Sequence, residues 1–582
     1  MLGSGCWIPL HTFSRNTVNQ TTSSFHAVAG YPAVFDVIEG GETLGSMSPR
    51  EARILVGAAN FHAFCVPGRT LELLLYRGDE DFTPRTSDDR TFDGLSRVFR
   101  HRAGRLVIAS RVPAANAVVR DSEGARLIAL PTRHVLITPD AVLEVPPRRW
   151  QPTDPVRRAL RAVRTRWPLV YDQARDLELL RFRRALRTPA ERRDYESEFA
   201  PGGPHDDARI EPAPPVREGA AKAVLIGMHW FELGGAERWA LETVRISREA
   251  GLLPIVVSNV DSQHPFICRP ELEGAMVIPM SEPTHVTQDP GAEPFLRSLL
   301  AEYDVRGVIV HHNQWLYDRL PWIRLSRPGV PVLDSTHIIE YRGGGYPMSS
   351  VRADRSIDVH HVISPSLGRW MVETQRVDPA KVVMAPLGGL TVDRSNVQYS
   401  PRRVEGELTV AFVGRMSRQK SPEVFVAMAA ALRARGERVR FIMHGDGELD
   451  EWVDDLLAGL GHDASVVRRT SSDPVARTFE EADLLAVTSH NEGLTLTTLE
   501  AVAHGVPVIS TDVGAQSDVI PREALFSTHP VRGAREAAEM VAALRADESA
   551  RRNLWETEKT MVRELLDGVS ATEWLSGVVA EW

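Results

Sequence analysis

The sequence predicts an α/β protein in which two Rossmann-like domains face each other across a cleft and follow a β-rich N-terminal domain. From Ala223 onward, strand-like apolar runs alternate with helical patterns in two series, as in doubly wound parallel sheets. Before residue 150 the chain instead contains short apolar or β-branched runs separated by Gly, Pro, Asp and Ser. A chain of 582 residues is too long for one core and predicts about three or four domains.

The changes of pattern also predict where each domain begins and ends. The expected parts are a β-rich domain at 1–150, an arginine-rich helical segment with a linker at 151–218, a Rossmann-like domain at 219–395 and a second one at 396–582. The join between the last two falls near 388–406.

The strand-like runs of the first 150 residues are spaced as in a β-sandwich or barrel. They are Tyr31 to Glu39, Phe61 to Val66, Thr70 to Tyr76, Arg105 to Ser110, Arg126 to Leu130 and Ala141 to Val145. The pattern gives this domain no role, and it leaves open the binding of a glycan, a protein partner or a second copy of the chain.

Residues 151–218 change to a helical and arginine-rich pattern. Its opening run of basic residues is Arg157, Arg158, Arg161 and Arg164. Such a run is more typical of a solvated face that bridges two domains, although contact with a membrane surface or an acceptor is also compatible with it. The Pro- and Gly-rich stretch 201–218 predicts a linker, and therefore that 219–582 folds separately.

Two series of strands are predicted for the Rossmann-like domains. The first contains 223–229, 253–258, 306–311, 331–336 and 360–363. The second contains 408–413, 439–443, 483–488 and 506–510.

Composition excludes several classes of protein. A net charge of −9 is atypical of nucleic-acid binders, so we expect no nucleic-acid partner. Cys6, Cys65 and Cys268 are too scattered for a disulfide framework or a zinc site. Neither a secretory signal nor a continuous apolar span of about 18–20 residues is recognisable, so we expect a cytoplasmic protein.

Two cations follow the first strand of the second series. Arg415 comes directly after Gly414, and Lys420 follows after four intervening residues. Cations at the carboxyl end of a buried strand lie where open α/β sheets bind ligands, and both side chains suit phosphate oxygens. Lysine occurs at only four positions among 68 basic residues, which favours a specific need for an ammonium at Lys420. We predict that Ser421 caps the following helix with its hydroxyl group.

A second constellation begins at Glu492. It combines a loop after an apolar strand with a helix N-terminus, where the free amides of Leu494, Thr495 and Leu496 would hold a diphosphate. Glu500 lies one to two helical turns further on, where a carboxylate can accept both hydrogen bonds of a ribose diol. Acids at helix starts are common, but the combination of strand, glycine, helix and second acid is not.

These residues together resemble the retaining glycosyltransferases of family 4, which have the GT-B architecture. The similarity covers about 219–582 and rests on the two cations, on the His444-Gly445-Asp446-Gly447 loop and on the two acids Glu492 and Glu500. It implies a nucleotide-diphospho-sugar donor, retention of configuration, no metal or other cofactor, and a last helix that crosses back to the first Rossmann-like domain.

The same resemblance assigns roles to single residues. Arg415 and Lys420 would hold the donor diphosphate, Glu492 would contact the transferred sugar, and Glu500 would hold the ribose. Thr495 departs from the Gly or Pro that the family often has there.

The first Rossmann-like domain offers further candidates. Gly234 and Gly235 open a helix, where glycines permit close approach of a phosphate or an acceptor, and the Gly-Gly-Ala-Glu string resembles the family's entry loop. Several histidines follow strands, and His337 best matches the family position that contacts the donor sugar, with His312 as the alternative.

Competing interpretations remain at this stage. Asp79-Glu80-Asp81 has the acid-x-acid form that some glycosyltransferases use for a divalent ion, but it lies in a polar loop outside the α/β units. A nucleotide-sugar epimerase of similar architecture and a non-catalytic carbohydrate-binding or assembly protein are the alternative functions. The acceptor stays unassigned.

Overall fold

A computed structural model describes the following residues: 26–28, 30–77, 102–116, 130–137, 140, 155–194, 197, 212–232, 234–260, 262–280, 292–340, 343–387, 397–401, 407–459 and 466–582. By compactness the chain divides into two units. The first unit comprises Met1–Pro146, Asp194–Leu333 and Val578–Trp582, and the second comprises Pro147–Arg193 and Asp334–Gly577.

The N-terminal region is β-rich, as predicted, and contains an antiparallel sheet. Its elements are β1 (His26–Val28), β2 (Tyr31–Ala33), β3 (Phe35–Glu39), α1 (Gly41–Gly45), α2 (Pro49–Cys65), β4 (Thr70–Arg77), β5 (Arg102–Ser110) and β6 (Thr132–Ile137). Strands β3 to β6 form one sheet in the order β3-β5-β4-β6, in which only the β4–β6 pair is parallel. The described strands thus form a mixed sheet beside a long helix instead of the predicted sandwich or barrel.

Helix α2 corrects one predicted strand. The run Phe61 to Val66 lies mostly within this helix, which begins at a capping box made by Ser48 and Glu51. Almost every residue of α2 is buried, so the helix shows no polar face and its sequence lacks helical periodicity. The predicted strand Ala141 to Val145 and all of Arg126 to Leu130 except Leu130 lie outside the described residues.

Helix α2 shares its core with the first Rossmann-like sheet. Its Phe61 ring lies 5.2 Å from the ring of Phe295, and the Arg53 guanidinium donates to the carbonyl oxygens of Leu272 and Ala275. These contacts lie within the first unit. The β-rich region is therefore fused to that sheet by apolar packing and buried hydrogen bonds.

The first Rossmann-like sheet has seven strands. They are β7 (Lys222–Gly227), β8 (Leu253–Ser258), β9 (Met276–Pro279), β10 (Asp304–His311), β11 (Val332–Thr336), β12 (Val359–Val362) and β13 (Val382–Met384). Their order in the sheet is β13-β12-β11-β10-β7-β8-β9. Successive strands from β7 to β9 extend toward one edge and those from β10 to β13 toward the other, which is the strand order of a doubly wound sheet. Its helices are α5 (Gly235–Glu249), α6 (Ala292–Glu302), α7 (Gln314–Ser326), α8 (Gly345–Arg352) and α9 (Pro365–Arg369).

The second sheet is parallel throughout. Its strands are β14 (Leu408–Val413), β15 (Val439–His444), β16 (Val466–Arg469), β17 (Leu484–Val487), β18 (Val508–Thr511) and β19 (Leu525–Phe526), in the order β16-β15-β14-β17-β18-β19. Its helices are α10 (Pro422–Ala434), α11 (Asp450–Ala458), α12 (Val475–Glu481), α13 (Leu496–Ala503), α14 (Pro530–Ala546) and α15 (Glu548–Leu566). Two Rossmann-like sheets are thus confirmed.

The arginine-rich segment forms α3 (Pro155–Arg166) and α4 (Pro168–Ala185), which belong to the second unit. The Arg164 guanidinium lies 3.8 Å from the centre of the Trp452 ring, and Asp172 pairs with Arg418 at 3.3 Å. Trp167 and Leu177 are exposed. The side chains of Arg157, Arg158 and Arg161 lie outside the described residues, so the membrane contact stays a hypothesis.

Buried carboxyl groups meet where α4 packs on α10. Glu423 is 3% exposed and lies beside the buried Asp172. Burial and then the neighbouring Asp172 carboxylate raise the pKa of Glu423 well above its ordinary value, although Arg164 opposes the shift. Burial beside a second carboxylate therefore favours the protonated form of Glu423.

The C-terminal helix α16 (Ala571–Ala580) packs on strands of the first sheet. In the second unit, the Trp574 ring stacks on His361 of β12 at 5.0 Å. In the first unit, the Trp582 ring occupies the space above Gly307 of β10, where an added Cβ would lie 2.3 Å from the ring. Within the described ranges, every helix falls short of the combination of length and apolarity that a bilayer span requires.

The α2 packing predicts the effect of Gly57→Ala. An added Cβ would lie 2.5 Å from both the Val277 carbonyl oxygen and the Pro279 Cδ, which are rigid neighbours. Overpacking of this kind costs about 1–3 kcal/mol, which exceeds the gain of up to about 1 kcal/mol in helix propensity. The apparent melting temperature should fall. Gly45→Ala, where nothing lies within 4 Å, is the matched control and should not lower it.

The carboxyl pair predicts a pH-dependent effect of Glu423→Gln. Because the pKa of Glu423 is raised in the folded state, the native state loses stability as pH rises from the unfolded pKa toward the folded one. A neutral amide removes this loss. The melting temperature of the variant minus that of the wild type should therefore be more positive at about pH 8 than at about pH 5.

Exposed Glu556→Gln supplies the control for this experiment, since its effect should be equal at both pH values. A Glu423→Gln variant destabilised by the same margin at both pH values would contradict the raised pKa of Glu423.

Candidate functional site

The site begins in the loops that follow β14 and β15. The backbone amide of Gly414 donates to the His444 carbonyl at 3.0 Å, and the amide of Met416 donates to the Asp446 carbonyl at 2.8 Å. An added Cβ at Gly445 would lie 2.1 Å from the Gly414 carbonyl oxygen. The two loops can pack this closely only because glycine stands at that position.

Lys420 and Glu492 are brought together by these loops. The Lys420 Nζ lies 2.5 Å from the Glu492 Oε1, and the stem of the lysine passes 3.4–3.5 Å from the space where a Cβ of Gly414 would be. The Glu492 side chain is 6% exposed and that of Lys420 is 21% exposed. A half-buried ammonium therefore faces the site beside an almost buried carboxylate.

The loop that carries Lys420 is anchored from the neighbouring strand. The Thr488 hydroxyl group lies 3.2 Å from the Lys420 carbonyl oxygen and 3.1 Å from that of Ser421. The amide of His490 donates to the Gln419 carbonyl at 2.8 Å. The position of the ammonium group is thus fixed by β17 as well as by β14.

Ser421 corrects a prediction. It precedes α10, but its side chain makes no capping hydrogen bond to that helix. Its φ of 46° places it in the left-handed region, and its hydroxyl group donates to the Arg418 carbonyl instead. The turn with Lys420 requires this backbone, which directs the Ser421 hydroxyl away from the helix.

Arg415 lies in the same loop and is exposed, in contrast to Lys420. It thus lies at the solvent side of the loop.

The turn after β17 is equally compact. An added Cβ at Gly493 would lie 2.0 Å from the His337 carbonyl oxygen, and one at Gly514 would lie 1.9 Å from the Glu492 carbonyl oxygen. The amide of Ala515 donates to the Gly493 carbonyl at 3.1 Å. Glu492 is therefore held between two backbone segments, and the turn that carries it is adjacent to His337.

The structure explains why Thr495 can stand where the family that the sequence resembles often has Gly or Pro. It is the N-cap of α13, with φ −77° and ψ 124°, and its side chain accepts from the amide of Thr498. The two threonine hydroxyl groups join a buried network with Gln516 and Ser510. This N-terminus needs no glycine or proline because threonine caps it.

The remaining predicted residues of this turn share the helix start. Leu494 is buried and Leu496 is the first residue of α13, so their amides lie at the helix N-terminus. Glu500 lies in the next turn and is half-buried. The structure therefore brings Lys420, Glu492 and His337 together at the turn before α13.

Gly234 and Gly235 lie in the first unit at the start of α5. An added Cβ at Gly234 would lie 2.1 Å from the Glu237 Oε2, so the glycine makes room for this carboxylate. Glu237 accepts from Trp230 at 2.9 Å and lies 3.0 Å from the Nε2 of His229. Sequence reasoning had not singled out Glu237, although it stands in the Gly-Gly-Ala-Glu string.

Electrostatics distinguish this cluster. Burial would raise the pKa of Glu237, but the hydrogen bond and charge of His229, with further hydrogen bonds, lower it to about 2. Burial, together with His229, lowers the pKa of His312 to about 3. Glu237 is thus ionised and His312 neutral near pH 7.

Asp172 and Arg418 are a second pair that the sequence did not reveal. With Glu423 and His490 they line a small pocket beside the Lys420 loop. No local signal connects them, because Asp172 is 246 residues away from Arg418 along the chain.

Asp79-Glu80-Asp81 lies outside the described residues. In the part of the chain that the structure describes, no group of three or more His, Cys, Asp or Glu side chains is placed to hold a metal ion.

Comparison with known proteins concerns the same region. Residues 407–547 match the family model described as glycosyl transferases group 1. The matched segment includes Arg415, Lys420, Glu492 and Glu500.

Curated relatives share moderate identity with the chain. The D-inositol 3-phosphate glycosyltransferase of Actinosynnema mirum is 31% identical over 238 residues, which cover 35% of this chain and 56% of that protein. The protein of the same name from Stackebrandtia nassauensis is 25% identical over 354 residues, which cover 53% of this chain and 80% of that protein. The chain spans little more than half of the length of the first relative, and 54% of that from Salinispora arenicola.

Two of the similar solved structures each match over 62% of the chain. HepE of Anabaena in complex with UDP is 14% identical, with a TM-score of 0.48 and 98% of its own length covered. Sucrose-phosphate synthase of Thermosynechococcus elongatus is 17% identical, with a TM-score of 0.47 and the same coverage. The fold assignment rests on the two parallel sheets, and with the family match at 407–547 it confirms that this chain resembles the GT-B glycosyltransferases.

Proposed function

We propose that this chain is a retaining, metal-independent glycosyltransferase that moves a sugar from a nucleotide-diphospho-sugar to an acceptor hydroxyl. The observation that carries the proposal is the Lys420–Glu492 pair, held 2.5 Å apart within the segment that matches glycosyl transferases. A cation for a phosphate and a carboxylate for a sugar are thus adjacent at one helix N-terminus.

The donor diphosphate would bind to Lys420 and Arg415. The ammonium group has three hydrogens, so it can contact Glu492 and a phosphate oxygen at the same time. The amides at the start of α13 supply further donors, and the positive end of the helix dipole favours the anion. Glu500, one turn later, would accept hydrogen bonds from the ribose diol.

The reaction would break the bond between the anomeric carbon and the diphosphate oxygen. Negative charge that develops on the leaving oxygen is stabilised by Lys420, Arg415 and the helix amides, which replace a metal ion in this role. The acceptor oxygen attacks the same face of the sugar, and its proton passes to the leaving phosphate. Glu492 and His337 would orient the sugar through its hydroxyl groups.

The acceptor is proposed only as a hydroxyl group of a glycan, a lipid or a protein. The curated relatives bear the name D-inositol 3-phosphate glycosyltransferase, but the chain spans about half of most of them. The cluster of Glu237, His229 and His312 beside Gly234 and Gly235 offers a neutral imidazole and an ionised carboxylate for hydroxyl groups.

Donor binding is tested by thermal shift with UDP-, GDP- and ADP-sugars in excess EDTA. A ligand of the native state at 100 times its Kd stabilises it by about 2.7 kcal/mol. At least one nucleotide sugar should raise the melting temperature, and release of its sugar by transfer or hydrolysis should proceed in excess EDTA. Activity that EDTA abolishes and Mg²⁺ or Mn²⁺ restores would contradict the metal-free mechanism.

Lys420 variants test the phosphate contact. Lys420→Ala should reduce the single-turnover rate by about 10²–10³, the usual cost of one preorganised electrostatic contact. Lys420→Arg keeps the charge, but its wide planar fork presents that charge in a different shape beside Glu492 and should misplace the diphosphate, so this variant should also be impaired.

The matched control is exposed Lys222→Ala, which should transfer sugar at the wild-type rate. A Lys420→Ala variant that is folded and reacts at the wild-type rate would remove the basis of the donor site. A fully active Lys420→Arg variant would show that charge alone is needed.

A further inference from the structure

A chain of buried hydrogen bonds lies behind His337. The Nε2 of His337 is 3.3 Å from the Ser335 Oγ, which is 2.8 Å from the Nδ1 of His361. The Nε2 of His361 lies 2.8 Å from the Ala385 carbonyl oxygen. Ser335 and His361 are fully buried, and His337 is 7% exposed.

The direction of each hydrogen bond follows from the last acceptor in this series, the Ala385 carbonyl oxygen. A carbonyl oxygen can only accept, so the Nε2 of His361 carries a hydrogen and donates it to Ala385. Burial lowers the pKa of His361 to about 4, so the ring is neutral near pH 7. Its Nδ1 therefore has a free lone pair and accepts from the Ser335 hydroxyl.

The single hydrogen of the Ser335 hydroxyl is thereby committed to His361. Toward His337, Ser335 can act only as an acceptor, so the Nε2 of His337 must carry the hydrogen between them. In the neutral ring the Nδ1 is then the unprotonated nitrogen.

We propose that Ser335 and His361 are positioning residues that hold His337 in the Nε2–H tautomer, so that its Nδ1 accepts a hydrogen bond from a hydroxyl group of the transferred sugar. This inference rests on the proposed function for its sugar. His337 then orients the sugar as an acceptor and does not supply a proton to the leaving group from Nε2.

The residues around this series of hydrogen bonds hold it rigidly. Ser335 lies on β11 and His361 on the neighbouring β12, where the Trp574 ring stacks on His361 with an angle of 22° between the planes. The carbonyl oxygen of His337 packs against Gly493, next to Glu492. His337 is thus held through its ring on the side of the strands and through its backbone at the turn that carries Glu492.

The adjacent His360 shows that this arrangement is specific to His361. His360 belongs to a separate network with Ser350, Asp334 and Asp354, and its two nitrogens face acidic or hydroxyl oxygens. Its hydrogen-bond chain does not include Ser335 or His337.

The tautomer can be measured directly on the full chain. Protein labelled with ¹⁵N-histidine gives two-bond ¹H–¹⁵N correlations that distinguish a protonated from an unprotonated ring nitrogen, and His337→Gln identifies the His337 signals. The wild type should show the Nε2–H form of His337. An Nδ1–H form in the wild type would overturn the inference without any variant.

Two variants should move the tautomer in different ways. His361→Phe removes the acceptor of the Ser335 hydroxyl, which then donates to the Nε2 of His337 and favours the Nδ1–H form. Ser335→Ala removes both interactions and should give a mixture. Ser335→Thr keeps the hydroxyl group on the strand and should restore the wild-type signal, whereas unchanged signals in both His361→Phe and Ser335→Ala would overturn the inference.

Kinetics connect the tautomer with transfer. One hydrogen bond changes an equilibrium by roughly 3- to 10-fold, so His361→Phe should lower kcat by about this factor with little change in the donor KM. An unchanged kcat despite a shifted tautomer would overturn the role of Nδ1. Failure of the proposed function is distinguishable, since no nucleotide sugar would then shift the melting temperature even with the Nε2–H signal present.

Discussion

The arrangement of the candidate site depends on close packing of backbone against backbone at glycines. A Cβ at Gly445 would overlap the Gly414 carbonyl oxygen, and a Cβ at Gly493 would overlap that of His337. Each approach is closer than any side chain permits. The turns that carry Lys420, Glu492 and His337 are distant in sequence, and they can therefore lie side by side. These close contacts are made by backbone atoms at the glycines and not by the three side chains.

This constraint has an electrostatic consequence. A side chain fixed by backbone packing does not lose conformational freedom again when it binds, so charge is already oriented where a diphosphate would require it. The Glu492 carboxylate at 2.5 Å keeps the Lys420 ammonium group extended across Gly414. The buried threonine and Gln516 network does the same for the start of α13.

The sequence was sufficient to predict the parallel sheets and the loops at their carboxyl ends, because strand, glycine and helix signals are local there. The sequence was insufficient where burial on every side removes the alternation of polar and apolar residues that identifies a helix. Helix α2 is buried on all sides, and its end was predicted as a strand at Phe61 to Val66. Contacts between distant segments were also not predictable, such as Asp172 with Arg418 or Ser335 with His361. At Ser421 the local capping preference was overridden by the backbone that the Lys420 turn requires.

The residues that precede the Rossmann-like sheets are structural parts of them. In the first unit, α2 covers Val277 and Phe295, and Arg217 pairs with Glu302, so the end of the predicted linker is itself packed. In the second unit, α4 supplies the carboxylate that pairs with Arg418 in the Lys420 loop. A chain shortened to 219–582 would expose the apolar surface that α2 covers and would leave Arg418 without Asp172. The contacts of these helices therefore argue against the separate folding that the composition of 201–218 predicts, and they connect the arginine-rich segment to the Lys420 loop through packing.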